Sequence, residues 1–216
     1  VLGAVAAALL GALTEIFLFR PLRHSPPLYP LVATFGLSLV IHDVLLWLLG
    51  PGEVFAPRFP GLKGAVQLGE DFFPQWQILT LCLGPVVWGL LHLLLTRTSW
   101  GQRVRAATQD RDMLDALGVN PAPLMLSVVV LGCGLAGLAG ALQLPRMPAH
   151  LQMDLQMVVE TFVVVVMGGL GSIAGAFYAA ILIGCVHAFG IHFFPQATLV
   201  LVFLTMALVL AIRPQG

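Results

Sequence analysis

Long apolar stretches alternate with short polar connections along this 216-residue chain. A helix needs about 20 mainly apolar residues to cross a bilayer, and seven stretches are apolar enough to cross or deeply enter one, the fifth being short for a span. They are residues 1–19, 28–50, 76–95, 122–144, 156–168, 174–190 and 197–212. Because backbone polar groups in lipid need partners inside the protein, these stretches predict helices. They lack the alternation of barrel strands, so the fold class is an all-α polytopic membrane protein.

Composition supports the membrane class and excludes several others. Hydrophobic residues make up 59% of the chain and charged residues only 9%, whereas soluble domains carry about 25% charged residues. The formal net charge is zero, so a basic face for nucleic acid is not expected. The three cysteines, Cys82, Cys133 and Cys185, lie inside apolar stretches without a CxxC pair. Neither a disulfide framework nor a metal site is therefore predicted.

The basic residues predict the orientation in the membrane. With connections 20–27 and 96–121 and the C-terminus on one side, seven basic residues lie there and three on the other. The first group is Arg20, Arg23, Arg97, Arg103, Arg105, Arg111 and Arg213, and the second is Arg58, Lys63 and Arg146. Cytoplasmic loops carry the excess of Lys and Arg. Loop 96–121 and Gly216 are therefore predicted inside and residue 1 outside.

The most charged connection predicts an amphipathic helix over residues 101–118. Its apolar side is formed by Val104, Ala107, Met113, Leu114 and Leu117. Gly118 suits the C-cap of this helix, and Pro121 follows soon after. The pattern fits an interfacial helix that merely links two spans. It fits equally a helix that docks into a groove on a cytoplasmic partner.

The same connection, "TRTSWGQRVRAATQDRDMLDALGVN", resembles the cytoplasmic loop of the branched-chain amino acid (Liv-type) permeases of ATP-binding-cassette (ABC) importers. The matching positions are Thr98, Gly101, Arg105, Ala106, Asp110, Gly118, Val119 and Asn120. Leu114 departs from the pattern, which usually has Ala there. Three further segments resemble the family in the family's order: "FRPLRHSPPLYPLVATFGLSL" (19–39), "GGLGSIAGA" (168–176) and the ending "LAIRPQG". The resemblance covers nearly the whole chain, and the family's N-terminal quarter is not represented.

The resemblance implies one permease domain over 1–216, with loop 96–121 as its coupling loop. The ATPase-coupling residues implied are Gly101, Arg103, Arg105, Ala106, Asp110, Met113, Leu117 and Gly118. The implied partners are a second permease subunit, two cytoplasmic ATPases that bind ATP and Mg²⁺, and a periplasmic or extracellular substrate-binding protein. The chain itself is expected to bind no cofactor and to be no enzyme. Family members carry branched-chain amino acids, other amino acids and amides, or urea.

The stretch "VVVVMGGLGSIAGAFYAA" (163–180) superficially resembles a strand, a phosphate loop and a helix. A dinucleotide site needs an acidic residue about 20 positions further on, and a phosphate loop needs Gly-Lys-Ser/Thr. Asp and Glu are absent after Glu160, and Lys is absent after Lys63. The stretch is therefore interpreted as a sharp reversal between two membrane helices, with Ser172 capping the second helix. The turn residues are Gly168, Gly169, Gly171, Ser172 and Gly175.

Two acidic residues inside apolar segments, Asp43 and Glu160, are candidates for the translocation pathway, because ionisable groups in a membrane are costly and often functional. Each fits a position at the outer interface as well. Glu15 is expected to pair with Arg20 or Arg23. An intramembrane protease is disfavoured, because Ser172 and His187 would lie roughly 22 Å apart on one helix and no G-x-S-x-G is present. A secondary transporter would place more ionisable groups at mid-membrane.

Overall fold

The computed structural model describes residues 2–22, 26, 28–53, 64–68, 71–109, 118–150, 153–169, 171–193, 195 and 198–212. These residues group into two compact units, Val1–Leu151 and Gln152–Gly216. The first unit contains helices α1 (Leu2–Leu22), α2 (Leu28–Leu49), α3 (Gln75–Arg97), α4 (Ser99–Gln109) and α5 (Pro121–Gln143). The second contains α6 (Met153–Gly168), α7 (Ile173–Phe193) and α8 (Thr198–Ile212).

The helices confirm the predicted all-α membrane fold. Within the described residues, α1, α2, α3, α5 and α7 are long and apolar enough to cross a membrane, while α6 and α8 are shorter apolar helices. All seven coincide with the predicted segments to within a few residues. Large apolar side chains cover their outer surfaces, including Phe17, Trp47 and Leu81, which are 75%, 85% and 76% exposed. Apolar surface on this scale suits contact with lipid or other membrane helices.

A small antiparallel hairpin interrupts the helices in the first unit. Strand β1 (Ala65–Leu68) pairs with strand β2 (Asp71–Pro74), and Leu68 lies opposite Asp71. The hairpin leads directly into α3, and the backbone N–H of Gln75 donates to the carbonyl of Gly64. Gly and Pro are frequent in connection 51–75, which disfavours a helix there. The pairing adds a short β element and leaves the helical class unchanged.

The first unit is held together by close packing of α1 against α5. The helices run antiparallel, since Gly3 of α1 lies beside Ala141 and Gly11 lies beside Cys133. A β-carbon on Gly11 would lie 2.6 Å from the Cβ of Cys133, so the two backbones approach closely. Small residues permit such approach in membranes.

The small residues of α5 that contact α1 are not the ones with the most regular spacing along the helix. Gly132 and Gly140, which repeat around Ala136, have no atom within 4 Å of an added β-carbon in the described part of the chain. The packing positions are Gly134 and Gly137 instead. The contact with α1 therefore uses a different side of α5 from the one that carries Gly132 and Gly140.

The second unit has its own apolar core. Val163 and Met167 of α6 pack with Ala179 and Ile183 of α7 and with Val202 of α8. Val163 is completely buried. The valine run that resembled a strand in the sequence is thus part of the last two turns of α6. That the whole chain forms one permease domain stays a prediction.

Candidate coupling surface and helix-reversal turn

Helix α4 begins at a sharp corner that Thr98 and Gly101 make possible. Thr98 ends α3, and its hydroxyl donates to the carbonyl of Leu94. The same hydroxyl oxygen accepts from the backbone N–H of Gly101 at 3.1 Å, which is the N-cap contact for α4. Gly101 is buried, and a β-carbon there would overlap the backbone of Leu95. Thr98 and Gly101 therefore let the chain turn directly from a membrane helix into α4.

One side of α4 packs against the beginning of α5. Trp100, Val104 and Ala107 follow one another at helical spacing and contact a cluster around Leu124, with Val119 and Met125 beside it. Ala107 is only 2% exposed. The predicted apolar side is confirmed at Val104 and Ala107. Its remaining members, Met113, Leu114 and Leu117, lie outside the described residues.

The exposed surface of α4 carries other predicted coupling residues. Arg103, Arg105 and Ala106 are exposed, so both guanidinium groups are accessible to a partner. Asp110 lies outside the described residues, as does the predicted course of the helix beyond Gln109. Gly118 follows with a φ of +80°, the left-handed conformation expected of the predicted C-cap glycine. The role of these residues in coupling stays a prediction.

The connection ends in a capped start of α5. The side-chain oxygen of Asn120 accepts from the backbone N–H of Ala122 at 2.9 Å. Pro121 occupies the first turn of α5, where its missing N–H costs nothing. Asn120 belonged to the sequence pattern shared with the permeases, and the cap gives its presence a structural reason.

The helix-reversal turn has the predicted geometry. Helix α6 ends at Gly168, and Gly169 and Gly171 have φ angles of +83° and +98°, which glycine adopts without steric cost. Ser172 donates its backbone N–H to Gly169 O at 3.1 Å. Its hydroxyl accepts from the backbone N–H of Gly175 at 3.0 Å, so Ser172 caps α7 as predicted.

The turn also brings the backbones of α6 and α7 into direct contact. A β-carbon on Gly175 would overlap the carbonyl of Gly168, and one on Gly168 would lie 2.6 Å from the carbonyl carbon of Gly175. Neither position has room for a side chain. The glycines therefore act as spacers between two helices, and a bound phosphate is not needed to explain them.

The two pathway candidates belong to different units. Asp43 lies in the last two turns of α2 and is exposed, whereas Glu160 lies in the middle of α6 and is half-buried. Each carboxylate thus sits within an apolar helix. Their role in translocation stays a prediction.

A comparison of the whole sequence with known families decides between the remaining classes. A family model described as the permease component of the branched-chain amino acid transport system matches residues 1–212. The chain belongs to this permease family. Loop 96–121, interpreted above either as an interfacial linker or as a docking helix, therefore belongs to a multi-pass membrane permease. No solved structure matches the chain.

Three named transport permeases are similar to this permease. It is 29% identical to the high-affinity branched-chain amino acid transport permease BraD of Pseudomonas aeruginosa, with 100% of this chain and 73% of BraD covered. It is 25% identical to LivH of Escherichia coli K12, with 98% and 70% covered. A shorter match, 30% identical over 68% of this chain and 42% of the relative, is to the fructose import permease FrcC of Rhizobium meliloti.

The sequence did not single out a pocket at the end of α1. Glu15, 5% exposed, begins a π-helical segment, Glu15–Phe19, in which the backbone N–H of Arg20 donates to the carbonyl of Glu15. A pocket of about 240 Å³ lies beside it. Its lining is Glu15, Ile16, Arg20, Asn120, Ala122, Pro123 and Leu126. In the sequence, only the position of Glu15 near the end of an apolar segment pointed to this pocket. The burial of Glu15 against α5 depends on helix packing, which a local sequence pattern does not show.

The geometry of Ser172 also bears on the protease alternative. Its hydroxyl is occupied as the cap of α7, and His187 lies on the same helix. Fifteen residues of helix separate the two, which is about 22 Å. Ser172 and His187 therefore cannot act together as nucleophile and base.

Proposed function

We propose that this permease forms part of the translocation pathway of an ABC importer for branched-chain amino acids in the bacterial inner membrane. The observation that carries the proposal is α4, a short helix that directly follows a membrane-length helix, packs against α5 on one side and leaves Arg103 and Arg105 exposed. Such a helix suits docking into a groove of a soluble partner. Two cytoplasmic ATPases would bind and hydrolyse ATP with Mg²⁺. A second permease and a substrate-binding protein would complete the importer.

The substrate class rests on the relatives. The names of BraD and LivH favour branched-chain amino acids, while urea, amides and other amino acids are the alternatives within the family. FrcC adds a sugar to the substrates worth testing. The deciding experiment measures ATP hydrolysis by the reconstituted complex with binding proteins loaded with leucine, urea or fructose. We expect stimulation by leucine, and stimulation by urea or fructose alone would contradict this substrate class.

Arg105→Glu is expected to lower substrate-stimulated ATP hydrolysis by roughly tenfold or more, because a reversed charge at a docked interface costs several kcal/mol. Arg105 is exposed, so the variant should accumulate in the membrane normally. Arg146→Glu makes the same charge change in an exposed position beyond the far end of α5 and should retain activity. Equal stimulation in wild type and Arg105→Glu would contradict a coupling role for α4.

The orientation proposed for the first unit has support from helix packing. The end of α1 and the start of α5 line one pocket, so connections 20–27 and 96–121 begin or end at the same end of the unit. At the other end, the indole of Trp76 at the start of α3 donates to Leu142 near the end of α5. The count of basic residues separates the same two groups. Connections 20–27 and 96–121 lie on one side, and the connections before α3 and after α5 lie on the other. The excess of basic residues favours the α4 end as cytoplasmic.

Thiol labelling tests this orientation. In a variant with all three native cysteines replaced by alanine, Ser99→Cys should react with an impermeant reagent in inside-out vesicles and be protected in intact cells. Arg146→Cys should behave in the opposite way. Both positions are exposed, so access to water decides the result. Labelling of Ser99→Cys from outside intact cells would refute the orientation.

A further inference from the structure

Trp100 connects α4 to α5 through a directional contact. Its indole Nε1–H donates to the hydroxyl oxygen of Ser127 at 2.8 Å, across 27 residues of sequence. The Ser127 hydroxyl in turn donates to the carbonyl of Leu124 at 2.6 Å. Both polar side chains are part-buried and both have partners. Because an unpaired polar group at such a site is costly, this chain of hydrogen bonds favours one arrangement of α4 on α5.

A second tryptophan ties the other end of α5 to the start of α3. The indole Nε1–H of Trp76 donates to the carbonyl of Leu142 at 3.0 Å, and Trp76 is 5% exposed. Ser127 and Leu142 are 15 residues apart, about 22 Å along the helix. The continuous α3–α4 segment is thus attached to α5 at two distant points, and only the contact of Trp100 adjoins the proposed coupling surface.

The apolar contacts between α4 and α5 do not provide the same restraint. The cluster around Ala107 and Leu124 is small, and apolar contact is non-directional, so it tolerates sliding and rotation. The hydrogen bond of Trp100 has a defined donor direction and therefore restricts both movements. Further along the helix, α5 packs closely against α1 at Gly134 and Gly137. Displacement of α4 would therefore pass through Trp100 to α5 and then to α1.

We propose that Trp100 and Ser127 are positioning residues that transmit movement of α4 to the α5–α1 pair. This inference rests on the proposed function, since it requires α4 to be the element on which the ATPases act. The two residues contact neither substrate nor nucleotide in this proposal. Their effect would appear in the number of substrate molecules transported per ATP hydrolysed, the coupling ratio.

The test uses the complete reconstituted importer with leucine-loaded binding protein. Trp100→Phe keeps an aromatic ring but removes the donor, and Ser127→Ala removes the acceptor. Each is expected to lower the coupling ratio about three- to tenfold, the factor that corresponds to one net hydrogen bond. The double variant should be no worse than the single ones, because both remove the same contact. Ser127→Thr retains the hydroxyl and should restore coupling.

Trp76→Phe is the matched control, because it removes the equivalent indole contact at the far end of α5. It should lower thermal stability by an amount similar to that of Trp100→Phe and leave the coupling ratio unchanged. An unchanged ratio in Ser127→Ala, or an equal loss in Trp76→Phe, would overturn the inference. If Trp100→Phe fails to accumulate in the membrane, the coupling ratio of Ser127→Ala alone tests the inference. A wild-type complex without leucine-stimulated ATP hydrolysis would instead refute the proposed function itself.

Discussion

Replacing Gly137 with leucine is expected to destabilise the first unit by about 3 kcal/mol, the upper end of the usual cost of overpacking. An added β-carbon would lie 2.5 Å from the Cβ of Ala7, 2.7 Å from the carbonyl oxygen of Gly3 and 3.1 Å from the Cα of Ala4. Two of these atoms are backbone, so relief requires α1 to move as a whole. Helices that associate in lipid depend on such close packing.

The measurement is the thermal unfolding of purified protein together with the fraction that stays monodisperse in detergent. Gly132→Leu is the control, since it lies on the same helix and an added β-carbon meets no atom of the described residues within 4 Å. That substitution should change stability by no more than about 0.5 kcal/mol. Similar losses in both variants would mean that the approach of α1 to α5 is not what holds the unit together.

Gly175→Val is expected to disrupt the reversal between α6 and α7 and to destabilise the second unit by about 3 kcal/mol. A β-carbon at this position would overlap the Gly168 carbonyl oxygen and lie 2.9 Å from both its carbonyl carbon and the Ser172 hydroxyl oxygen. The substitution therefore displaces the helix cap as well as the neighbouring helix. Its effect should appear as loss of the folded protein from membranes and faster proteolysis within the turn.

Gly184→Val provides the comparison for this second substitution. Gly184 lies on the same α7 helix, and an added β-carbon has no atom within 4 Å in the described part of the chain. Membrane abundance close to that of wild type is expected. If Gly175→Val were equally well tolerated, the close contact of α6 and α7 at the turn would be contradicted.

The arrangement of helices along the chain was predictable because it depends on local properties. A run of about 20 apolar residues has to satisfy its own backbone in lipid and therefore becomes a helix. Caps are local too: Ser172 at α7 was predicted correctly, since its cap depends on a few neighbouring residues. The family assignment depended on the ordered motifs of the whole chain.

The faces by which the helices pack were not predictable in the same way. Lipid tails are as apolar as Leu, so hydrophobicity does not distinguish a packed face from a lipid-facing one. The regular spacing of Gly132 and Gly140 therefore does not identify the side of α5 that contacts α1. The side of α4 that packs against α5 was predicted only in part, because the partner of Trp100 lies 27 residues further along the chain.

The sequence by itself thus determined the membrane class, the order and approximate bounds of the membrane helices and the Ser172 cap, since composition and local backbone chemistry decide each of them. Its ordered motifs determined the family. Only the tertiary structure decided that Gly137 rather than Gly132 meets α1, that Glu15 is buried beside α5, and that two tryptophans tie α5 at both ends. Those features depend on distances between helices that are remote in sequence. Because these helices are apolar on nearly every side, a local sequence pattern does not predict such distances.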